Sequence, residues 1–340
     1  MSQLLTANIG SYPRIGEEKD QQRHRRGLAH FEAKEISAHA FRDVQQSVIH
    51  ELIREQVTAG VDEVTDGLVA WADPIFHFCK NSTGIESGGL SRYFGTNFYY
   101  RLPVIRSKPR FKDAVIAPEF QLAKGISNRT VRAVLTGPYT LAALSSSSLK
   151  PYNKLAERMG YFTDLIANEI KTLVLAGASR IQIDEPALVG RPEDFPLFKK
   201  SLKALTAVKG SAQLILAFYF GSIFPFYDEL HGLEIDGLNI DLTTEQSKLF
   251  DRMLAHPPGC PVGLGLVDAM VTKLETSETI VELIRRWLDR TAAQTLFVTP
   301  STGLEHLPRP SAFAKLQLLA HAKAAVLQPS STGTAHVETR

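Results

Sequence analysis

Cysteine is nearly absent: Cys79 and Cys260 are the only two in 340 residues. Two cysteines cannot build a disulfide framework, and a reducing compartment follows. No stretch of about 18 consecutive apolar residues occurs, which argues against a membrane-spanning helix. The segment Met1–Gly10 lacks a basic region followed by an apolar core, so no secretory signal is read. A cytoplasmic chain with no membrane partner is expected. An excess of one charge is missing too: 38 Lys and Arg stand against 36 Asp and Glu, a net +2. Proteins that track phosphates concentrate positive charge, so nucleic acid is not an expected partner and a small-molecule substrate is. What the chain does have is core material, 44% hydrophobic against 22% charged residues, which places it among globular proteins. The end from Gln328 to Arg340, rich in Ser, Thr and Gly, carries no periodic apolar face and is read as a disordered tail.

Short β-rich or apolar runs that end in a polar residue and lead through a turn into a helix-period segment are the signature of a parallel sheet. Eight occur: Leu4–Ile9, Val61–Thr65, Val131–Leu135, Arg180–Ile183, Leu214–Phe218, Gly237–Ile240, Val262–Val267 and Leu296–Thr299. Helical patterns over Glu35–Ala59, Leu155–Ala176, Thr244–Leu254, Glu278–Thr291 and Ser311–Ala325 separate several of them, and the first two run onto a glycine, the expected helix stop. Eight repeats predict a single α/β domain over residues 1–327, a (β/α)8 TIM barrel, rather than an open doubly wound sheet. Residues 68–130 are too long for a simple crossover and contain the aromatic run from Tyr93 to Tyr100. They are read as an insertion, a β-hairpin capping one edge of the mouth.

In such a barrel the carboxyl ends of the strands converge on one mouth, where chemistry is done. Ser11, Asp66, Thr136, Asp184, Glu185, Tyr219, Asp241, Asp268 and Thr302 all follow strand ends. Helix capping accounts for some of them, since Asp, Ser and Thr are preferred caps. Four aspartates and Glu185 exceed that need, and so many carboxyls attract ammonium groups or share protons at raised pKa. Tyr219 and Asp241, ending adjacent strands, form a candidate acid and base. Trp71 is a candidate shield of the site from water, with packing as the alternative.

Four motifs appear in order: Ile9-Gly10-Ser11-Tyr12-Pro13-Arg14-Ile15-Gly16, Leu135-Thr136-Gly137-Pro138, Ile181-Gln182-Ile183-Asp184-Glu185-Pro186-Ala187-Leu188 and Thr299-Pro300-Ser301-Thr302-Gly303-Leu304. Together the chain resembles the cobalamin-independent methionine synthase family, as one barrel rather than the duplicated pair of the long enzymes. The resemblance implies transfer of a methyl group from a methyl-folate, or a methyl-corrinoid in short members, to the sulfur of homocysteine. It also implies zinc, which holds the thiol as thiolate. Asp184 is then the carboxylate for the amino group of homocysteine, and the turn at Ser11 holds its carboxylate end. Beyond what the resemblance implies, Arg14, Asp66, Trp71, Thr136, Glu185 and Thr302 join Ser11 as candidate substrate-binding residues around the candidate catalytic residues Asp184, Asp241 and Tyr219.

The departures fall on the metal. Where the family has a His-x-Cys pair after the fifth strand, a Glu after the sixth and a Cys after the eighth, this chain reads Ala217-Phe218-Tyr219, Asp241 and Thr302. Thiolate and imidazole are what select zinc, so the family's zinc site is expected to be lost. His77-Phe78-Cys79 is the one His-x-Cys in the chain; on a helix its members face apart, which favours burial over ligation. Leu68, Leu144 and Met270 replace further family positions for an acidic residue, a folate-stacking tryptophan and a histidine. Tyr12–Gly16, Phe218–Gly221, Asn239–Leu242 and Gly265–Asp268 resemble the amino-terminal barrel of the long enzymes, whose folate tail the run Lys19, Arg23, Arg25, Arg26 would suit, a solvated face being the alternative. Three readings follow: a divergent methyl or one-carbon transferase working without zinc, a metal-free lyase or demethylase, and a non-catalytic homologue serving as partner subunit to a corrinoid or other protein.

Overall fold

The computed structural model describes residues 3–244, 246–291 and 295–328; residues 329–340 of the expected tail lie outside them. In chain order the elements are β1 (Leu4–Thr6), α1 (Arg23–Glu32), α2 (Ala38–Thr58), β2 (Glu63–Val64), β3 (Ser82–Arg92), β4 (Tyr99–Phe111), α3 (Ile116–Ile126), β5 (Thr130–Val131), β6 (Ala133–Thr136), α4 (Pro138–Ala143), α5 (Leu155–Leu175), β7 (Arg180–Asp184), α6 (Pro186–Val189), α7 (Phe195–Thr206), β8 (Gln213–Phe218), β9 (Gly237–Asp241), α8 (Gln246–Ala255), β10 (Val262–Val267), α9 (Ser277–Arg290), β11 (Leu296–Pro300) and α10 (Arg309–Leu327). No described helix is long and apolar enough to cross a membrane.

The fold is α/β with a parallel sheet. Seven strands pair in the order β1-β11-β10-β9-β8-β7-β6. β2 pairs in parallel with β5, and a parallel bridge from Ala7 to Glu63 joins β2 to the end of β1. Only Arg132 separates β5 from β6, and its N–H still donates to the Val64 carbonyl at 2.9 Å. Strands buried on both faces need apolar residues throughout, and β6 to β11 supply them in runs such as Ala133-Val134-Leu135 and Leu214-Ile215-Leu216-Ala217. The core lies between these strands and the helices that follow them.

Local chemistry sets the helix limits. Ser37 Oγ accepts from Ala40 N at 3.1 Å, so α2 begins at Ala38 rather than at Glu35. Gly60 and Gly177 turn the chain after α2 and α5 with φ of 92° and 79°. Residues 68–130 hold an antiparallel hairpin, β3 with β4, and also α3, which packs between α2 and α5. Glu169 of α5 caps α3 by accepting from the N–H groups of Val115 and Ile116. This segment is therefore not all excursion: its last part is the helix that leads back into the sheet.

Candidate active site

Parallel register sets Asp184 beside Thr136 on one neighbour and Ala217 on the other. Thr136, Asp184 and Tyr219, the residue after β8, line a cavity of about 70 Å³. The turn after β1 adds Ser11 and Arg14, the turn after β11 adds Thr302 and His306, and the segment between β2 and β4 adds Trp71 and Tyr93. Two of these turns meet so closely that both need glycine. A Cβ on Gly10 would stand 3.1 Å from Gly303 Cα, and one on Gly303 would meet Ser11 N at 2.8 Å as well as its Oγ.

Asp184 is 7% exposed, and both of its oxygens are occupied by neutral donors. Gln182 Nε2 donates to Oδ1 at 2.7 Å and the Tyr219 hydroxyl donates to Oδ2 at 3.0 Å. Residues two apart on a strand share a face, which is why Gln182 reaches Asp184. The Gln182 amide cannot flip without loss, because its Oε1 accepts from Arg132 Nη1 at 3.1 Å while Nε2 also donates to the Ile9 carbonyl. Arg132 is 1% exposed, bonded through Nε and Nη2 to Glu63 Oε2, with its guanidinium 5.1 Å from the Phe297 ring centre. A buried polar column thus runs from Glu63 through Arg132, Gln182 and Asp184 to Tyr219.

Burial pushes the Asp184 carboxyl up to about 7, against the pull of its two donors and the more distant Arg132 charge. Burial, and then the negative charge of Asp184, raise the Tyr219 phenol well above its usual range, so it stays protonated as a donor. Tyr93 is raised for the same first reason and shares the cavity wall with Tyr219. His306 is shifted down by burial and meets Phe98 edge to face at 4.6 Å, so its imidazole is neutral at pH 7.

Backbone strain gathers at this opening. Among the described residues four other than glycine have positive φ, and three belong here: Leu68 at 53°, Phe94 at 50° and Phe220 at 66°. Leu68 and Phe220 line the cavity, and Phe94 packs on Phe220 with centroids 5.4 Å apart. A left-handed conformation costs a bulky residue roughly 1–2 kcal/mol, and such positions cluster at functional sites.

Several residues expected at the site do other work. Glu185 accepts from the N–H of Tyr139, and from the N–H and hydroxyl of Thr140. It caps α4 and is not open to a ligand. Asp241 accepts from the Thr243 N–H at 2.8 Å and its hydroxyl at 2.6 Å, closing the turn after β9, and it does not line the cavity. The pairing of Tyr219 with Asp241 is thereby corrected: Tyr219 pairs with Asp184. Asp66 accepts from Leu68 N and does not line the cavity; burial raises it to about 7. Arg14 lines the cavity yet is spent on the Val69 and Trp71 carbonyls and on Glu305. Trp71 lines it while donating to Glu119 and stacking on His77, and Thr136 donates to the Pro74 carbonyl. Ser11 and Thr302 line it. Asp73, Phe220 and Glu305 also line the cavity without being among the expected residues; the pair Phe220-Gly221 directly after Tyr219 is the signal in the sequence that points to one of them.

The family's zinc does not fit these residues. Tyr219 is committed to Asp184, Asp241 to its own turn, and Thr302 offers a hydroxyl. Among the described residues no three His, Cys, Asp or Glu side chains gather as metal ligands. His77 pairs with Glu119 at 3.1 Å, and Cys79 is fully buried with its thiol pushed up by desolvation.

A parallel α/β chain with a buried carboxyl and phenol at adjacent strand ends has the form of an enzyme of acid–base or group-transfer type. The family described as "Cobalamin-independent synthase, Catalytic domain" matches residues 4–325. The chain is 30% identical over 318 residues to the methionine synthase of Saccharolobus solfataricus, covering 92% of each. It is also 30% identical over 320 residues to that of Sulfolobus acidocaldarius, covering 92% of this chain and 89% of the other. In fold it is similar to a B12-independent methionine synthase from Shewanella sp. W3-18-1 solved with selenomethionine, with TM-score 0.79, 17% identity, and coverage of 96% of this chain and 98% of that one. A methyltransferase from Methanosarcina mazei matches with TM-score 0.58 and 11% identity, covering 94% of each chain. The chain therefore belongs to the cobalamin-independent synthase catalytic-domain family, a family of methyltransferase enzymes.

Proposed function

We propose that this chain is a single (β/α)8-barrel enzyme, with the β3–β4 hairpin over its mouth, that transfers a methyl or one-carbon group to homocysteine or a related thiol without the family's zinc. The pairing of β1 through β2 and β5 back to β6 supports closure of the ring, with residues 1–327 as one domain. The observation that carries the function is the Asp184–Tyr219 pair, buried against the cavity where strand ends meet. A carboxyl poised at about 7 can take the proton of a thiol, and Tyr219, held protonated, keeps that carboxyl oriented. Ser11, Thr136 and Thr302 offer hydroxyls to the polar end of the substrate, and Trp71 excludes water. A methyl-folate or methyl-corrinoid, the latter on a partner protein, is the co-substrate the family suggests.

Mass spectrometry of products from homocysteine and other thiols, mixed with methylated donors, tests the reading. Wild type is expected to add one methyl to a thiol, and Tyr219→Phe to slow this about 10- to 100-fold, the value of one hydrogen bond to a charged group. Turnover of a donor with the methyl released as something other than a thioether would overturn it.

A further inference from the structure

The carboxyls around the mouth are not equally compensated. Glu305 is paired with Arg14 at 3.1 Å. Asp73 faces Arg101 and accepts from the N–H groups of Ile75, Phe76 and Arg101. Asp184 meets two neutral donors, and among the described residues no Lys, Arg or His makes a salt bridge to it. Six rings stand in the cavity wall, Trp71, Tyr93, Phe98, Tyr99, Phe220 and His306, beside the hydroxyls of Ser11, Thr136 and Thr302 and the Arg14 guanidinium, whose charge is matched by Glu305. An unmatched carboxylate in an aromatic cup suits a cation that needs few hydrogen bonds, and an alkylated onium group is such a cation.

We infer that the mouth binds a small methylated onium cation, sulfonium or quaternary ammonium, between Asp184 and the aromatic wall, and that this cation is the methyl donor. The second half rests on the methyl-transfer reading above; the first does not. The step balances without a metal. The thiol gives its proton to the Asp184 carboxylate, and sulfur forms a bond to the methyl carbon. The methyl–onium bond breaks with its electron pair going to the leaving sulfur or nitrogen, which departs neutral. One anion and one cation become neutral products, a change that a low-dielectric site favours. The burial that makes the Asp184 carboxylate costly in the empty site is thus relieved as the reaction proceeds.

Isothermal titration with trimethylsulfonium chloride, tetramethylammonium chloride and the neutral isostere tert-butanol, at pH 6 and pH 8, tests the binding. The groups facing Asp184 are Gln182 on its own strand, Glu185 beside it, Tyr219 past β8, Arg132 between β5 and β6, and Tyr93 from the hairpin; Arg14, Asp73, Glu305 and His306 stand around the cavity. A midpoint of about 7 for Asp184 means cation affinity rises about tenfold from pH 6 to pH 8, with proton release on binding at pH 6. Asp184→Asn is expected to remove both the pH dependence and most of the affinity, and the tighter of the two cations identifies the onium type. Equal binding of tert-butanol, no cation binding, or unchanged binding by Asp184→Asn would overturn the site. With homocysteine added, a 13C-methyl label appearing on the thiol from the bound onium supports the donor role. Binding without transfer overturns that role alone, and transfer from a folate or corrinoid would then still sustain the proposed function.

Discussion

Replacing Asp184 by Asn should stabilise the protein at high pH while removing its function. The carboxyl rises from 3.8 to about 7 on folding because burial penalises its charge. The sign follows from proton counting: between those values the native state holds a proton that the unfolded state has lost, so stability falls as pH rises. At about 1.4 kcal/mol for each tenfold change in proton affinity, the full penalty above pH 7 is at most about 4 kcal/mol. Asn has the shape of the protonated acid: its Oδ1 still accepts from Gln182, and its amide can donate to the Tyr219 oxygen. Urea unfolding at pH 8 should show Asp184→Asn more stable by about 1–4 kcal/mol, a midpoint shift of up to roughly 1 M for a chain this size. At pH 4, where the native state holds the proton and the unfolded state holds it about 40% of the time, the gain should shrink to well under 1 kcal/mol. A variant no more stable than wild type at pH 8, or equally stabilised at both pH values, would refute the account of Asp184 as an uncompensated buried acid.

Arg132→Met leaves Glu63 with Arg180 alone and the Gln182 carbonyl unpaired, so thermal and urea unfolding should show a loss of about 3–5 kcal/mol. Part of that loss should return in Arg132→Met/Glu63→Gln, and an undiminished loss would contradict the pairing. Gly303→Ala forces a Cβ onto the Ser11 backbone and hydroxyl, an overpacking cost of about 1–3 kcal/mol visible as a lower Tm. Glu185→Ala strips the cap from Tyr139 and Thr140, so hydrogen exchange at those amides should quicken by about 1–3 kcal/mol in opening free energy, with β6 and β7 unaffected.

Strand ends were legible because a parallel sheet demands apolar runs that stop at polar residues, and Asp184, Thr136 and Ser11 reached the cavity as their positions implied. Partnerships were not legible. Asp241 and Glu185 carry the same residue types as a reactive carboxyl, and only the nearby N–H groups of Thr243, Tyr139 and Thr140 show that they serve turns and caps. Arg132 breaks an apolar run for the sake of Glu63, 69 residues away, a pairing no local pattern contains. α3 escaped notice because its boundary is set by Glu169 from another helix rather than by a cap of its own. The short helices α4 and α6 begin at Pro138 and Pro186, too brief for a helical period to show.

If Asp184 at the strand ends drives methyl transfer to a thiol without zinc, that transfer survives removal of metal. The direct measurement is 13C-methyl transfer to homocysteine by chelator-dialysed protein, with Asp184→Asn alongside. Wild type then keeps its rate after dialysis while the variant loses at least about 100-fold, worth about 3 kcal/mol. Activity that disappears on dialysis and returns with zinc, or a variant as fast as wild type, would contradict it.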